Sequence, residues 1–215
     1  MIQDLHYLDD VVDELEKRWP DNRTVNIVCH GHSVPSGYFD TPVVDTFNAY
    51  PHLLHRLIKE RFPYAVVNVI VTAIGGENAV SGAARFARDV LPLRPDVIVI
   101  DYSLNDRGVP GAGEAWEEMI RQAKDAGAKV ILCTPTWDTT YHEQSDYWQE
   151  LVRHAQQVRE LADRYSVGLA DNFAAFQRAV DESDSLNQLL SHWNHPSRAG
   201  HELAAGEIAR YFPAR

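Results

Sequence analysis

The chain is poor in cysteine, has no excess of positive charge and contains no long apolar run, and each shortage removes a class of answers. Only two of its 215 residues are cysteine, Cys29 and Cys133. Two thiols make neither a metal-knuckle pattern nor a disulfide framework. Both lie inside apolar segments and read as buried free thiols of a reducing compartment. Lysine and arginine together number 20 against 31 acidic residues, a formal net charge of −11. Nucleic-acid binders carry basic stripes that neutralise phosphates, and this balance argues against such a partner and against docking on an anionic membrane. No stretch approaches the roughly 18 apolar residues of a membrane span. Residues 1–10 show no basic segment ahead of an apolar core, so the expectation is a cytoplasmic protein without a secretion signal. Neutral or weakly charged small molecules remain as ligands.

What is present is an alternation of continuous apolar runs with amphipathic helical patterns, the signature of a parallel sheet covered on both faces. The apolar runs Val25–Cys29, Ala65–Val71, Val97–Asp101, Lys129–Thr134 and Val167–Ala170 read as five strands. Helices are expected over residues 7–18, 45–61, 79–91, 113–126, 146–165, 172–180 and 197–211, with Phe47, Tyr50, Leu53, Leu54 and Leu57 of the second facing inward. There is no repeat, linker or low-complexity segment, so residues 1–215 are expected to form one α/β domain. In such sheets ligands bind beyond the carboxyl ends of the strands.

The residues capable of chemistry fall at those ends. Ser33 follows the first strand in Gly31-His32-Ser33, Gly76 follows the second and Asn105 the third, while His195-Pro196 precedes the last helix. A serine hydroxyl, an imidazole that is neutral near physiological pH, a bared backbone N–H and an uncharged side-chain amide are the parts of an acyl-transfer site. Each alone has a plainer reading as a turn or a helix cap. The serine does not sit in the G-x-S-x-G elbow of α/β-hydrolases, because Pro35 takes the place of its second glycine.

Together, and in this order, the four positions resemble the SGNH hydrolases, also called the GDSL esterase/lipase family. Gly31-His32-Ser33 matches the first block, Gly76 the second, Ser103-Leu104-Asn105-Asp106 the third, and His195-Pro196 with Gly200-His201 the last. The resemblance implies a flavodoxin-like three-layer sandwich around a five-stranded, mostly parallel sheet. It makes Ser33 the nucleophile and His195 its base, with an oxyanion hole from the N–H groups of Ser33 and Gly76 and the amide of Asn105. The implied reaction is hydrolysis of a small-molecule acyl ester through an acyl-enzyme, without metal or cofactor.

The chain departs from the family pattern at three places. His32 stands where the first block usually has aspartate, Ser103 where the third usually has glycine, and His192 where an aspartate three residues before the histidine normally orients it. In the serine-protease triad, neutralising that acid lowers turnover by roughly 10⁴. Three substitutes suggest themselves: a backbone carbonyl at His195 Nδ1, the neutral ring of His192 as orienter, or a distant carboxylate such as Asp181 or Asp184.

Aromatic residues gather in segments expected around the pocket: Tyr38 and Phe39, Trp137 and Tyr141, and Trp193. Aromatic faces stack on sugar rings and line acyl pockets, and the polar setting favours short-chain acyl esters such as acetylated carbohydrate. Two other classes compete. One is a binding protein that keeps the fold but has lost the acid. The other is a metallohydrolase using His30, His32, His192, His195 and His201 as ligands, although barrel enzymes with that first motif need eight strands.

Overall fold

The computed structural model describes residues 4–183 and 185–214; Asp184 therefore lies outside the described residues. In chain order the elements are α1 (Asp9–Glu16), β1 (Thr24–Gly31), α2 (Ser33–Ser36), α3 (Tyr50–Arg61), β2 (Val66–Val71), α4 (Ala79–Asp89), β3 (Val97–Asp101), α5 (Ala112–Asp125), β4 (Lys129–Cys133), α6 (Asp146–Tyr165), β5 (Gly168–Ala170), α7 (Asn172–Ser183) and α8 (Arg198–Ala209). The five strands form one parallel sheet in the order β2-β1-β3-β4-β5. Helices cover both faces, as the uninterrupted apolar strands require.

Within each central strand the side chains divide by parity. Val97 and Val99 of β3 join one apolar cluster with α1, α3 and α8, while Ile98 and Ile100 join another with α4 and α5. In β4, Ile131 and Cys133 point to the first cluster and Val130 and Leu132 to the second. Cys29 and Cys133 are buried and unbridged. Among the described residues no helix is long and apolar enough to cross a membrane.

One helix differs from the pattern read off the sequence. Residues 45–61 are not continuous: a 3₁₀ turn, Thr46–Asn48, ends at extended Ala49 before α3 begins. Pro51 sits in the first turn of α3 and has no N–H to carry an earlier helix through it. The break swings Phe47 outward to 76% exposure, whereas Tyr50, Leu53 and Leu54 face the core as expected. The first strand also runs to Gly31, two residues beyond its apolar stretch.

The chain reverses direction across the sheet between β1 and β3, which neighbour each other although β2 separates them in sequence. Their carboxyl ends are in register, with Gly31 opposite Asp101. It is beyond such a switch point that α/β sheets place their ligands.

Candidate active site

Gly31 is required by the closeness of the two strand ends. A Cβ there would lie 2.3 Å from the Asp101 carbonyl oxygen and 2.7 Å from Pro35 Cγ. The chain then turns into α2, with His32 as its N-cap: the His32 Nδ1 accepts the Val34 N–H at 3.2 Å. Since Nδ1 is an acceptor, the ring proton of neutral His32 is on Nε2. Ser33 opens α2 and is buried, so its hydroxyl is held in a water-poor setting.

His195 reaches Ser33 from the loop preceding α8. Its Nε2 lies 3.0 Å from Ser33 Oγ, and its Nδ1 lies 2.8 Å from the Phe39 carbonyl oxygen. A carbonyl only accepts, so it fixes the proton on Nδ1 and leaves Nε2 free to accept the serine proton. The loop is stiffened by Ser191 and Ser197: Ser191 N–H donates to the His195 carbonyl at 2.9 Å, and Ser197 caps α8. Burial holds the His195 ring below the ordinary histidine range, opposed by the Phe39 carbonyl and reinforced by the neighbouring His32 and His192.

The position at Nδ1 is therefore occupied by backbone. His192 does not touch it; its Nε2 lies 3.8 Å from Asp40 Oδ1 at the surface. Asp181 is exposed and accepts a hydrogen bond from Gln177. The Phe39 carbonyl was invisible as a residue type, although a backbone acceptor was among the substitutes the sequence suggested.

The second and third blocks are fastened to one another. Gly76 adopts φ +81°, a conformation that suits glycine, and its N–H donates to no protein acceptor among the described residues. Asn105 donates a side-chain N–H to the Glu77 carbonyl at 2.8 Å, which leaves the amide its second N–H. Asp106 Oδ1 accepts the Ala79 N–H at 2.8 Å, and its Oδ2 accepts Trp116 Nε1–H at 2.7 Å. Arg85 grips the Glu77 carboxylate, at 2.9 Å from Nε, from beneath. These bonds set the Gly76 turn against the end of β3. The sequence showed Asp106 only as the last residue of the third block and gave no sign of Arg85, because side-chain type does not reveal which groups the fold brings to it.

The remaining histidines have structural partners. His30 points to the opposite face from His32, with Nδ1 2.9 Å from Thr72 Oγ1 and Nε2 3.1 Å from the Tyr102 hydroxyl. His201 accepts the Tyr50 N–H at 3.2 Å and lies against Phe39, ring centres 4.8 Å apart. Among the described residues no group of three or more His, Cys, Asp or Glu is placed to hold a metal ion. Of the aromatic residues, the Tyr38 ring centre lies 6.0 Å from that of His195, and Trp193 is exposed beside it in sequence. Trp137 is fully buried against Tyr141, Trp148 and Phe173 and belongs to the core, not the rim.

A model of the GDSL-like lipase/acylhydrolase family matches residues 29–203. No curated protein matches the chain. Among solved structures, Axe2, an acetylxylan esterase from Geobacillus stearothermophilus, is 18% identical with a TM-score of 0.73, over 89% of this chain and 95% of that one. A GDSL-like lipase structure from Parabacteroides merdae is also 18% identical, with a TM-score of 0.75 over 89% and 96% of the two chains. At such identities the likeness is one of fold. Structures of Axe2 include catalytic mutants at a serine, an aspartate and a histidine.

Proposed function

The chain belongs to the GDSL-like lipase/acylhydrolase family of carboxylic ester hydrolases, and from that membership we propose a serine esterase that cleaves short-chain acyl esters, acetylated carbohydrate among them. Ser33 is the nucleophile and His195 the general base. One observation carries this reading: Oγ of Ser33 stands 3.0 Å from an imidazole nitrogen whose ring is oriented from behind by the Phe39 carbonyl.

In the reaction, His195 Nε2 takes the Ser33 proton as Oγ bonds to the acyl carbon. The carbonyl electron pair moves onto oxygen, where the N–H groups of Ser33 and Gly76 and the free amide N–H of Asn105 stabilise it. Collapse expels the alcohol, which leaves with the proton from His195. Water, deprotonated by the same ring, then releases the acid and regenerates Ser33.

The Phe39 carbonyl supplies the tautomer and orientation that an aspartate would, but not its full negative charge. The aspartate altered in Axe2 has no counterpart three residues before His195, where His192 stands. Tyr38 and Trp193 offer faces for a sugar ring, and the fold neighbour named for acetylxylan agrees with that substrate class.

Hydrolysis of p-nitrophenyl acetate by wild type and Ser33→Ala tests the proposal. Wild type is expected to turn over and to be labelled by a fluorophosphonate at Ser33, with Ser33→Ala at background in both. Equal rates in the two proteins would reject it and leave a binding protein on an esterase fold. A p-nitrophenyl ester series is expected to favour acetate over octanoate.

A further inference from the structure

The loop that carries His195 is closed largely on itself. Ser191 N–H donates to the His195 carbonyl at 2.9 Å, and Ser197 N–H to the Leu189 carbonyl at 2.8 Å. Its backbone joins the rest of the fold at Trp193, two residues before His195, whose carbonyl accepts the Thr139 N–H at 2.8 Å. Thr139 opens a 3₁₀ turn, Thr139–His142, that Asp138 caps: Oδ1 of the aspartate accepts the Thr140 N–H at 3.0 Å and also the Thr140 hydroxyl. The other oxygen, Oδ2, accepts Arg107 Nη2–H at 2.7 Å. Both side chains of this ion pair are sealed from water, at 1% and 0% exposure. The guanidinium carbon of Arg107 lies 3.8 Å from the centre of the Tyr147 ring, in the first turn of α6. Nε and Nη1 are buried and meet no acceptor among the described residues. Arginine keeps its proton in proteins, so one carboxylate and one aromatic face hold a full charge in the interior.

Resting on the serine-esterase reading above, we propose that Arg107 and Asp138 are positioning residues for His195, which hold the Trp193 carbonyl, and with it the imidazole, in place through Thr139. The pair braces the loops that leave two neighbouring strands, β3 and β4. The first of these loops carries Asn105, two residues before Arg107, and the second carries Thr139. Taking two charges out of water costs several kcal/mol for each, and apolar side chains of like volume often serve stability as well or better. What apolar side chains lack is direction. With Oδ2 committed to Arg107, Asp138 presents Oδ1 to Thr140, which fixes the turn whose first N–H meets Trp193. The Phe39 carbonyl sets how the His195 ring is turned, and the brace sets where its backbone stands. Misplacing a reacting group by about 1 Å costs about 10² in rate, so residues with no bond to Ser33 still govern turnover.

The test measures p-nitrophenyl acetate turnover, fluorophosphonate labelling rate and thermal melting in wild type, Ser33→Ala, Arg107→Met, Thr139→Pro and Arg107→Met/Thr139→Pro. Thr139→Pro removes the N–H that meets Trp193 and leaves the ion pair in place. Asp138 is already extended, at φ −133° and ψ 176°, as a residue before proline is, and the first position of a helical turn accepts proline. Each single variant is expected to lower kcat and the labelling rate roughly 10- to 100-fold, with KM within about threefold of wild type. The double variant is expected to turn over within about threefold of Thr139→Pro while melting lower, because both changes cut one route to His195. Arg107→Lys keeps a charge for Asp138 without the planar fork, and it replaces Arg107→Met in the double variant if that protein does not fold. Thr139→Pro with the kcat of wild type would overturn the proposal. So would a double variant in which the two losses multiply, since Arg107 would then act by another path. Either result leaves the esterase reading standing, whereas a wild type no faster than Ser33→Ala would remove both.

Discussion

Acid should destabilise this protein through two histidines that do no chemistry. His30 and His201 are fully buried. Burial, first among the causes, holds the His30 ring down to about 4 and the His201 ring to about 3, against an ordinary value near 6.5. Their folded values are depressed, so the stability they contribute is complete above 6.5 and is lost as pH falls. Between 6.5 and the folded values the unfolded chain binds protons that the folded chain refuses. Each ring then contributes a slope of about 1.4 kcal/mol per pH unit, or about 2 kcal/mol lost by pH 5. Other groups titrate over the same range, so the decisive quantity is a difference between wild type and His201→Asn. Asparagine can still accept the Tyr50 N–H that His201 Nδ1 accepts at 3.2 Å. It gives up the ring packed on Phe39, so the variant should be about 1–3 kcal/mol less stable at pH 7. Urea unfolding at pH 7, 6 and 5 should show that gap narrowing by about 2 kcal/mol. A gap independent of pH would refute the assignment of His201 as a neutral buried ring.

The same reasoning applies to His195 with a kinetic readout. Its lowered protonation keeps the base form available below the usual range, so the acid limb of kcat/KM should have its midpoint under about 6.5; a midpoint above 7 would contradict it. His192→Ala should reduce kcat/KM less than about threefold, because the Phe39 carbonyl and not His192 meets His195 Nδ1; a loss matching that of His195→Ala would show His192 to be essential. Asp106→Ala would strip the acceptor from Ala79 N–H and Trp116 Nε1–H. It should lower unfolding stability by about 2–5 kcal/mol and kcat more than KM, since the Gly76 turn is released. Unchanged melting would show that these bonds do not hold the turn.

The sheet was legible because its strands are buried on both faces, which makes each a short uninterrupted apolar run. Val97–Asp101 is the plainest case, and its bounds coincide with the observed β3. Helix edges were less legible where a backbone constraint overrode periodicity. Phe47 fits an inward stripe by spacing, but Pro51 breaks the helix before that spacing applies. The side chains that meet in the site carried a signal because they are chemically distinctive residues at strand ends. The contacts that orient them carried little: Phe39 acts through its carbonyl, which every residue has. Asp101 read as the last residue of a strand, and only the register of β1 against β3 brings it beneath His32.

Two of the three departures from the family pattern are related once they are placed in space. Losing the aspartate before His195 and replacing the aspartate before Ser33 by His32 leaves the site without either expected carboxylate. Asp101, supplied by the neighbouring strand, puts a buried acidic side chain back within ion-pair distance of an imidazole that adjoins Ser33. Asp101 lies against His32, while the ring that holds the shorter contact to Oγ is oriented by a backbone carbonyl. Such a division predicts different sensitivities on the two sides. Asp101→Asn leaves the His195 tautomer intact, whereas displacing the Phe39 carbonyl frees the ring that sits 3.0 Å from Oγ. Deleting Phe39 and Val43 together would disturb the turn in which Phe39 N–H bonds the Val43 carbonyl at 3.1 Å. The resulting loss should exceed that of Asp101→Asn, because the Phe39 carbonyl orients the ring that meets Ser33 and Asp101 does not touch it.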